Sequence, residues 1–225
     1  MIKQERNYKI FKKAIKLSFA VFLIGSVAFT VLEPATTNAL TDVATVSATV
    51  TSEVTISSPT DTTFSATIPG VSGNPGSPAT ASFTWTVITN NSAGFDMTLQ
   101  ASQAHALYKD GSYYFSDYGT PPTPTYGWSA AGSSVANFGF SITTATAGDT
   151  SSAFLDDGGA CGSGGNTGGC WAGFNGTTPI TVVHRTALTD ANGEAEVVNF
   201  KAESNAKYLA SGTYTATITA TASLN

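Results

Sequence analysis

The chain has 225 residues, of which only 11% are charged, with a formal net charge of −5 and two cysteines. That length holds one domain of ordinary to large size, or two very small ones. Beyond residue 40 only Lys109, Arg185, Lys201 and Lys207 oppose thirteen Asp and Glu; an acidic chain without a basic stripe repels phosphate backbones, which excludes nucleic acid as a partner.

The other six basic residues lie in the first sixteen positions, within MIKQERNYKIFKKAIK. LSFAVFLIGSVAFTVL follows without a charge, and then EPATTNA, which ends in small residues. A basic head, an apolar middle and small residues at Thr37 and Ala39 make the pattern of a secretory signal peptide, a hydrophobic signal helix cut after Ala39. The sixteen-residue apolar run is short against the ~20 residues of a full membrane span and long for a signal core. Segment 1–39 is therefore a signal peptide or an uncleaved membrane anchor, and the membrane is a partner only in the second case. Either way, residues 40–225 are predicted to work outside the cytoplasm, secreted or at the extracellular cell surface.

Residues 40–225 contain no convincing amphipathic helix. They read as Thr-, Ser-, Val- and Ala-rich runs of period two, broken by Gly, Pro and Asn. VATVSATVTSEVTIS puts Val46, Ala48, Val50, Val54 and Ile56 on one side, and TTFSATIPG is a shorter strand. ATASFTWTVIT alternates Ala81, Phe83, Trp85 and Val87 with hydroxyl residues, as a half-buried strand requires. After the turn signal NNSAG, FDMTLQAS aligns Phe95, Met97, Leu99 and Ala101, so the two runs read as a hairpin. ANFGFSIT aligns Phe138, Phe140 and Ile142; ITVVHRTAL and EAEVVNFKAE flank a tight turn at Asn192-Gly193; GTYTATITATA is the last strand. Seven to nine short strands predict an all-β fold, a single antiparallel β-sandwich of Ig-like kind over residues 40–225.

Two segments break the rhythm. Residues 103–134 form an insertion that carries Tyr108, Tyr113, Tyr114, Tyr118, Tyr126 and Trp128. Such rings suit sugars and protein partners alike, and they also pack well over the open end of a sandwich, so both roles stand. Residues 144–178 contain Cys161 and Cys170, with eight residues between them in a glycine-rich run. Outside the cytoplasm two such thiols oxidise, and His105 and His184 lack the spacing to complete a zinc site. A disulfide staple is predicted.

Catalysis finds no support. The chain has no nucleophile elbow, no paired histidines of a metalloprotease and no phosphate-binding loop, and no catalytic residue or cofactor is assigned. DANGEAE offers Asp190, Asn192, Glu194 and Glu196 to calcium, oxygen ligands at alternate positions, and Asp156-Asp157 offers a carboxylate pair. The spacing departs from a calcium loop after the first residues, so both are weak candidates beside an acidic turn.

The order of signal segment, Thr-rich opening strand, FTWTVITNNSAGFDMTLQAS and terminal SGTYTATITATA resembles small secreted bacterial surface proteins. The nearest group is the WxL-type cell-surface family, with a looser likeness to spore-coat-U-like fimbrial proteins. Both likenesses imply an exported β-sandwich. The Trp-x-Leu motif itself is not intact, Trp85-Thr86-Val87 being its closest match. The expectation is a noncatalytic envelope protein, structural or adhesive. Its partners would be cell-wall polysaccharide, other surface proteins or further copies of itself. A carbohydrate-binding module, with or without calcium, is the alternative.

Overall fold

The structure, a computed structural model, describes residues 42–225. The signal segment 1–39, with its predicted helix and cleavage site, lies outside the described residues. Val50–Asn225 forms one compact unit. Of the other unit, which ends at Thr49, residues 42–49 are described; all are exposed and none is in regular secondary structure.

Twelve strands account for the regular structure of Val50–Asn225. In chain order they are β1 (Val54–Ile56), β2 (Ala79–Thr89), β3 (Phe95–Ala101), β4 (Tyr108–Asp110), β5 (Tyr113–Tyr114) and β6 (Ser116–Asp117). There follow β7 (Thr125–Tyr126), β8 (Val135–Thr144), β9 (Cys170–Trp171), β10 (Ile180–Arg185), β11 (Glu194–Asn205) and β12 (Ile218–Leu224). Helix is confined to two 3-10 turns, Ala147–Asp149 and Ser152–Phe154. Among the described residues no helix is long and apolar enough to cross a membrane. The protein is all-β.

Two sheets dominate. One has five strands in the order β1-β2-β11-β8-β6, the other three in the order β10-β3-β12. In the larger sheet β2, β11 and β8 are antiparallel, and their register brings Phe83 opposite Val198, Ala81 opposite Phe200, and Phe200 opposite Phe140. Residues two apart on a strand share a face. The inward columns are therefore Ala81, Phe83, Trp85 and Val87 on β2, Val198 and Phe200 on β11, and Phe138, Phe140 and Ile142 on β8. These side chains and Phe95, Met97 and Leu99 of β3 belong to one core. Phe138 and Phe200 stack at 5.8 Å, and Phe83 meets Phe200 edge-on at 5.4 Å.

The structure departs from the sequence-based reading in where strands pair. β2 and β3 are not a hairpin: β2 lies between β1 and β11, and β3 between β10 and β12. The turn at Asn91–Gly94 thus carries the chain from one sheet to the other. The Asp190–Gly193 turn does the same between β10 and β11; its Gly193, at φ +81°, adopts the left-handed conformation that favours glycine. The strand predicted over 43–57 shrinks to Val54–Ile56, and TTFSATIPG forms no strand.

The turn after β2 also gathers two distant points of the chain. Asn90 accepts the Glu53 amide at 2.8 Å and donates to the Thr51 carbonyl at 2.9 Å. Asn225 bonds to the carbonyls of Ala93 and Arg185 through its side chain, and its own carbonyl accepts from Asn91.

Candidate functional site

Beyond the three pairs with β1, at Val87, Ile88 and Thr89, β2 is held on its outer side by two short contacts. Ser57 donates its amide to the Thr86 carbonyl at 2.9 Å, and Ser65 does the same to Thr80 at 2.8 Å. Their hydroxyls return the bond, accepting the Thr86 and Thr80 amides. Between these points the chain, SPTDTTF, arches away from the sheet; its Pro59 has no amide to donate and its Ser and Thr favour turns. Strand alternation turns the backbone groups of Ser82 and Thr84 to the same side as those of Thr80 and Thr86. There they have no partner among the described residues.

Beneath this arch lies an apolar groove of about 840 Å³. Its floor is Phe83, Phe138 and Phe200 of the large sheet, with Phe115 and Leu107 from the insertion, and residues 62–71 and 208–216 wall it. Phe64 packs edge-on against Phe138 at 6.3 Å, and Tyr214 against Phe115 at 5.5 Å. No charged side chain lines it. The inward column of β2 here runs unsealed: Trp85 and Val87 are buried, whereas Ala81 and Phe83 are only half-buried.

The six rings singled out from the sequence fall into two groups rather than one surface. Tyr108, Tyr113 and Tyr114 lie on β4 and β5, which pair as a small hairpin. Tyr114 stacks on His105 at 3.8 Å, and Lys207 Nζ lies 4.4 Å from the centre of the Tyr114 ring; Tyr113 lies 6.1 Å from Tyr208. Burial lowers the affinity of Lys207 for its proton. All three tyrosines are half-buried. His105 is itself fixed by Asp117, which accepts the amides of His105 and Ala106, and burial still raises the Asp117 carboxyl above its ordinary value.

Tyr118 and Trp128 instead cap the outer face of the large sheet. They stack at 4.2 Å, and Trp128 meets Trp171 of β9 edge-on at 5.5 Å. Gly139 of β8 makes the room: a Cβ there would stand 2.7 Å from Tyr118 Cβ and 2.8 Å from the Ala172 carbonyl oxygen. The Trp128 indole donates to Glu203 at 2.6 Å, and the amides of Gly76 and Ala131 donate to the other oxygen of that fully buried carboxylate. Lys201 sits 4.1 Å above the Trp171 ring, its proton affinity lowered by burial. Tyr126 is the exposed member, with 43% of its surface open.

Cys161 and Cys170 form a disulfide with Cα atoms 5.9 Å apart. Within the loop Asp157 accepts the Ala160 and Gly159 amides, which hold its carboxyl below the ordinary value. Asp156 accepts from Gly158, and its second oxygen is buried with no partner. Asp190 accepts the Asn192 amide at 2.7 Å across the β10–β11 turn. Among the described residues no three His, Cys, Asp or Glu side chains gather as a metal site. His184 stands opposite Asp96 across β10 and β3, at 2.6 Å and exposed to solvent.

One cluster was not anticipated from the sequence. Arg185 pairs with Asp149 and, at 2.8 Å, with Glu194. Beside them Glu196 is wholly buried with both oxygens unpartnered. Burial, and then the nearby Asp149 and Glu194 charges, push its carboxyl up to about 8. The signal was present in EAEVVNF: Glu196 shares the inward column of Val198 and Phe200, so an acid had to lie in the core. No protein-family model, no curated protein and no solved structure matches the chain.

Proposed function

We propose that the chain is an exported, noncatalytic cell-surface protein, structural or adhesive, whose two main sheets make an Ig-like β-sandwich. It works by self-association or by binding cell-wall polymer. The observation that carries the reading is the uncharged groove of about 840 Å³ beside an unpaired stretch of strand. A fold that caps one sheet face with stacked rings and staples a long loop by a disulfide has left this face uncovered. Strand edges and apolar grooves recruit extended polypeptide by β-augmentation. The disulfide supports an oxidising compartment.

Sedimentation of the purified, oxidised protein alone and with cell-wall material tests this reading. Pelleting alone is the expected outcome of self-association, and pelleting only with wall that of polymer binding. A protein that stays soluble in both tubes overturns the reading. The exposed Tyr126 beside Trp128 favours the second reading, a carbohydrate-binding module. In that case Tyr126→Ala or Trp128→Ala abolishes retention on a glycan column while the protein remains monomeric.

A further inference from the structure

The groove needs an occupant that is extended, uncharged and small in side chain. Extended, because the unpaired backbone of Ser82 and Thr84 asks for a strand. Uncharged, because no charged group lines the groove to receive an ion. Small, because the floor is already built of phenylalanine rings. Residues 43–50, VATVSATV, meet all three conditions. In an extended strand Ala44, Val46, Ala48 and Val50 share one face, and Val43, Thr45, Ser47 and Thr49 the other. Val43, Val46 and Val50 are 85%, 95% and 83% exposed, a costly display for a run of such β propensity.

From these observations we infer that residues 43–50 of one copy fill the groove of a second copy as an added strand along β2. This rests on the self-association reading above and names its contact. Eight extended residues span roughly 26 Å and the open stretch of β2 between the two pinned points, Ser82 to Thr84, roughly 10 Å, so the middle of the run pairs with β2 and its ends lie along the groove. Asp42 and Glu53 bracket the run and mark where the apolar fit must end. Chain direction selects a second copy. Thr51 and Glu53 are tied to Asn90, beyond the C-terminal end of β2, and β1 then runs antiparallel toward the groove. A strand entering from that end would have to reverse to reach its own groove. A donor patch on one copy that meets an acceptor groove elsewhere on the next is a heterologous contact, which generates an open filament when the rotation does not close.

The experiment compares the wild-type protein with Val46→Asp/Val50→Asp, by light scattering over a concentration series and by electron microscopy. A second arm mixes copies carrying Ser47→Cys with differently tagged copies carrying Ser82→Cys or Thr84→Cys, all side chains of the solvent face. The expected result has three parts: wild-type oligomers, a concentration for assembly raised at least about tenfold in the aspartate variant because a carboxylate enters an apolar groove, and a disulfide between differently tagged copies. Since Val46 and Val50 are exposed, an unchanged melting temperature in the aspartate variant shows that folding is intact. Equal assembly of wild type and variant overturns this inference alone and leaves self-association to another surface. Loss of assembly without cross-linking at Ser82 or Thr84 overturns the groove as acceptor. A wild type that is monomeric throughout overturns the inference and the self-association reading together.

Discussion

The two faces of the five-stranded sheet handle the same problem in different ways. On the outer face, Glu203 of β11 is buried but receives an indole and two backbone amides, and Tyr118, Trp128 and Trp171 close over it. On the inner face, Glu196 of the same strand is buried with no hydrogen-bond partner, and farther along lies a groove with half-buried Phe83. The outer face is finished. The inner face holds an unpartnered carboxyl and an unsealed apolar groove. The contrast teaches that enclosure and satisfaction are separate properties: a carboxylate can be sealed and content, or sealed and strained, on one strand.

Mutations at these positions break the contrast, beginning with the largest effect. Glu203→Ala leaves an indole and two amides without an acceptor under the aromatic layer, and should cost about 3–5 kcal/mol in denaturant unfolding. An effect under about 1 kcal/mol would mean that water replaces the carboxylate and that the outer face is not closed. Reduction of Cys161–Cys170 should cost about 2–3 kcal/mol by releasing a short loop in the unfolded chain, read as a lower melting temperature in reductant.

Glu196→Gln sharpens the polar half of the comparison. The folded chain keeps its proton up to about pH 8, whereas an unfolded glutamate ionises near its ordinary value of 4.5. Between those values the folded state binds more protons, so stability falls as pH rises from about 4.5 to 8. Glutamine removes that slope: the variant should match wild type at pH 4 and exceed it at pH 9. Parallel pH profiles would place the acid in a better-solvated setting. The smallest effect is expected at Phe83→Ala, about 1–2 kcal/mol, against about 3–5 kcal/mol for the fully buried Phe140→Ala. Equal losses would show that the groove floor is as tightly packed as the core.

Much of the fold was legible in the chain, because alternation states which face a residue takes. Phe83, Trp85 and Val87, Phe95 to Ala101, and Phe138 to Ile142 all lie inward as their spacing requires. Alternation does not state which strand comes next. NNSAG looked like a hairpin turn because the runs on both sides suit a sheet, yet the long partners, β11 for β2 and β10 and β12 for β3, lie about a hundred residues downstream. The aromatic insertion was visible as a composition, but its division was not. The parallel pairing of β6 with β8 fixes Tyr118 on the outer face, away from Tyr113 and Tyr114. The groove was invisible, since it arises from residues 57–65 failing to follow a strand whose pattern gives no warning of the gap.

The short turn after β2 has a mechanical consequence. Asn90 grips Thr51 and Glu53, while Asn91 and Ala93 grip Asn225. A pull applied at Thr51 and opposed at Asn225 would therefore enter and leave the domain within a few residues, loading this clasp before the sheets. The hydrogen bonds of β2, β11 and β8 would lie outside the line of force. Under tension the clasp would act as the fuse, opening first and letting the chain lengthen while the core stays folded.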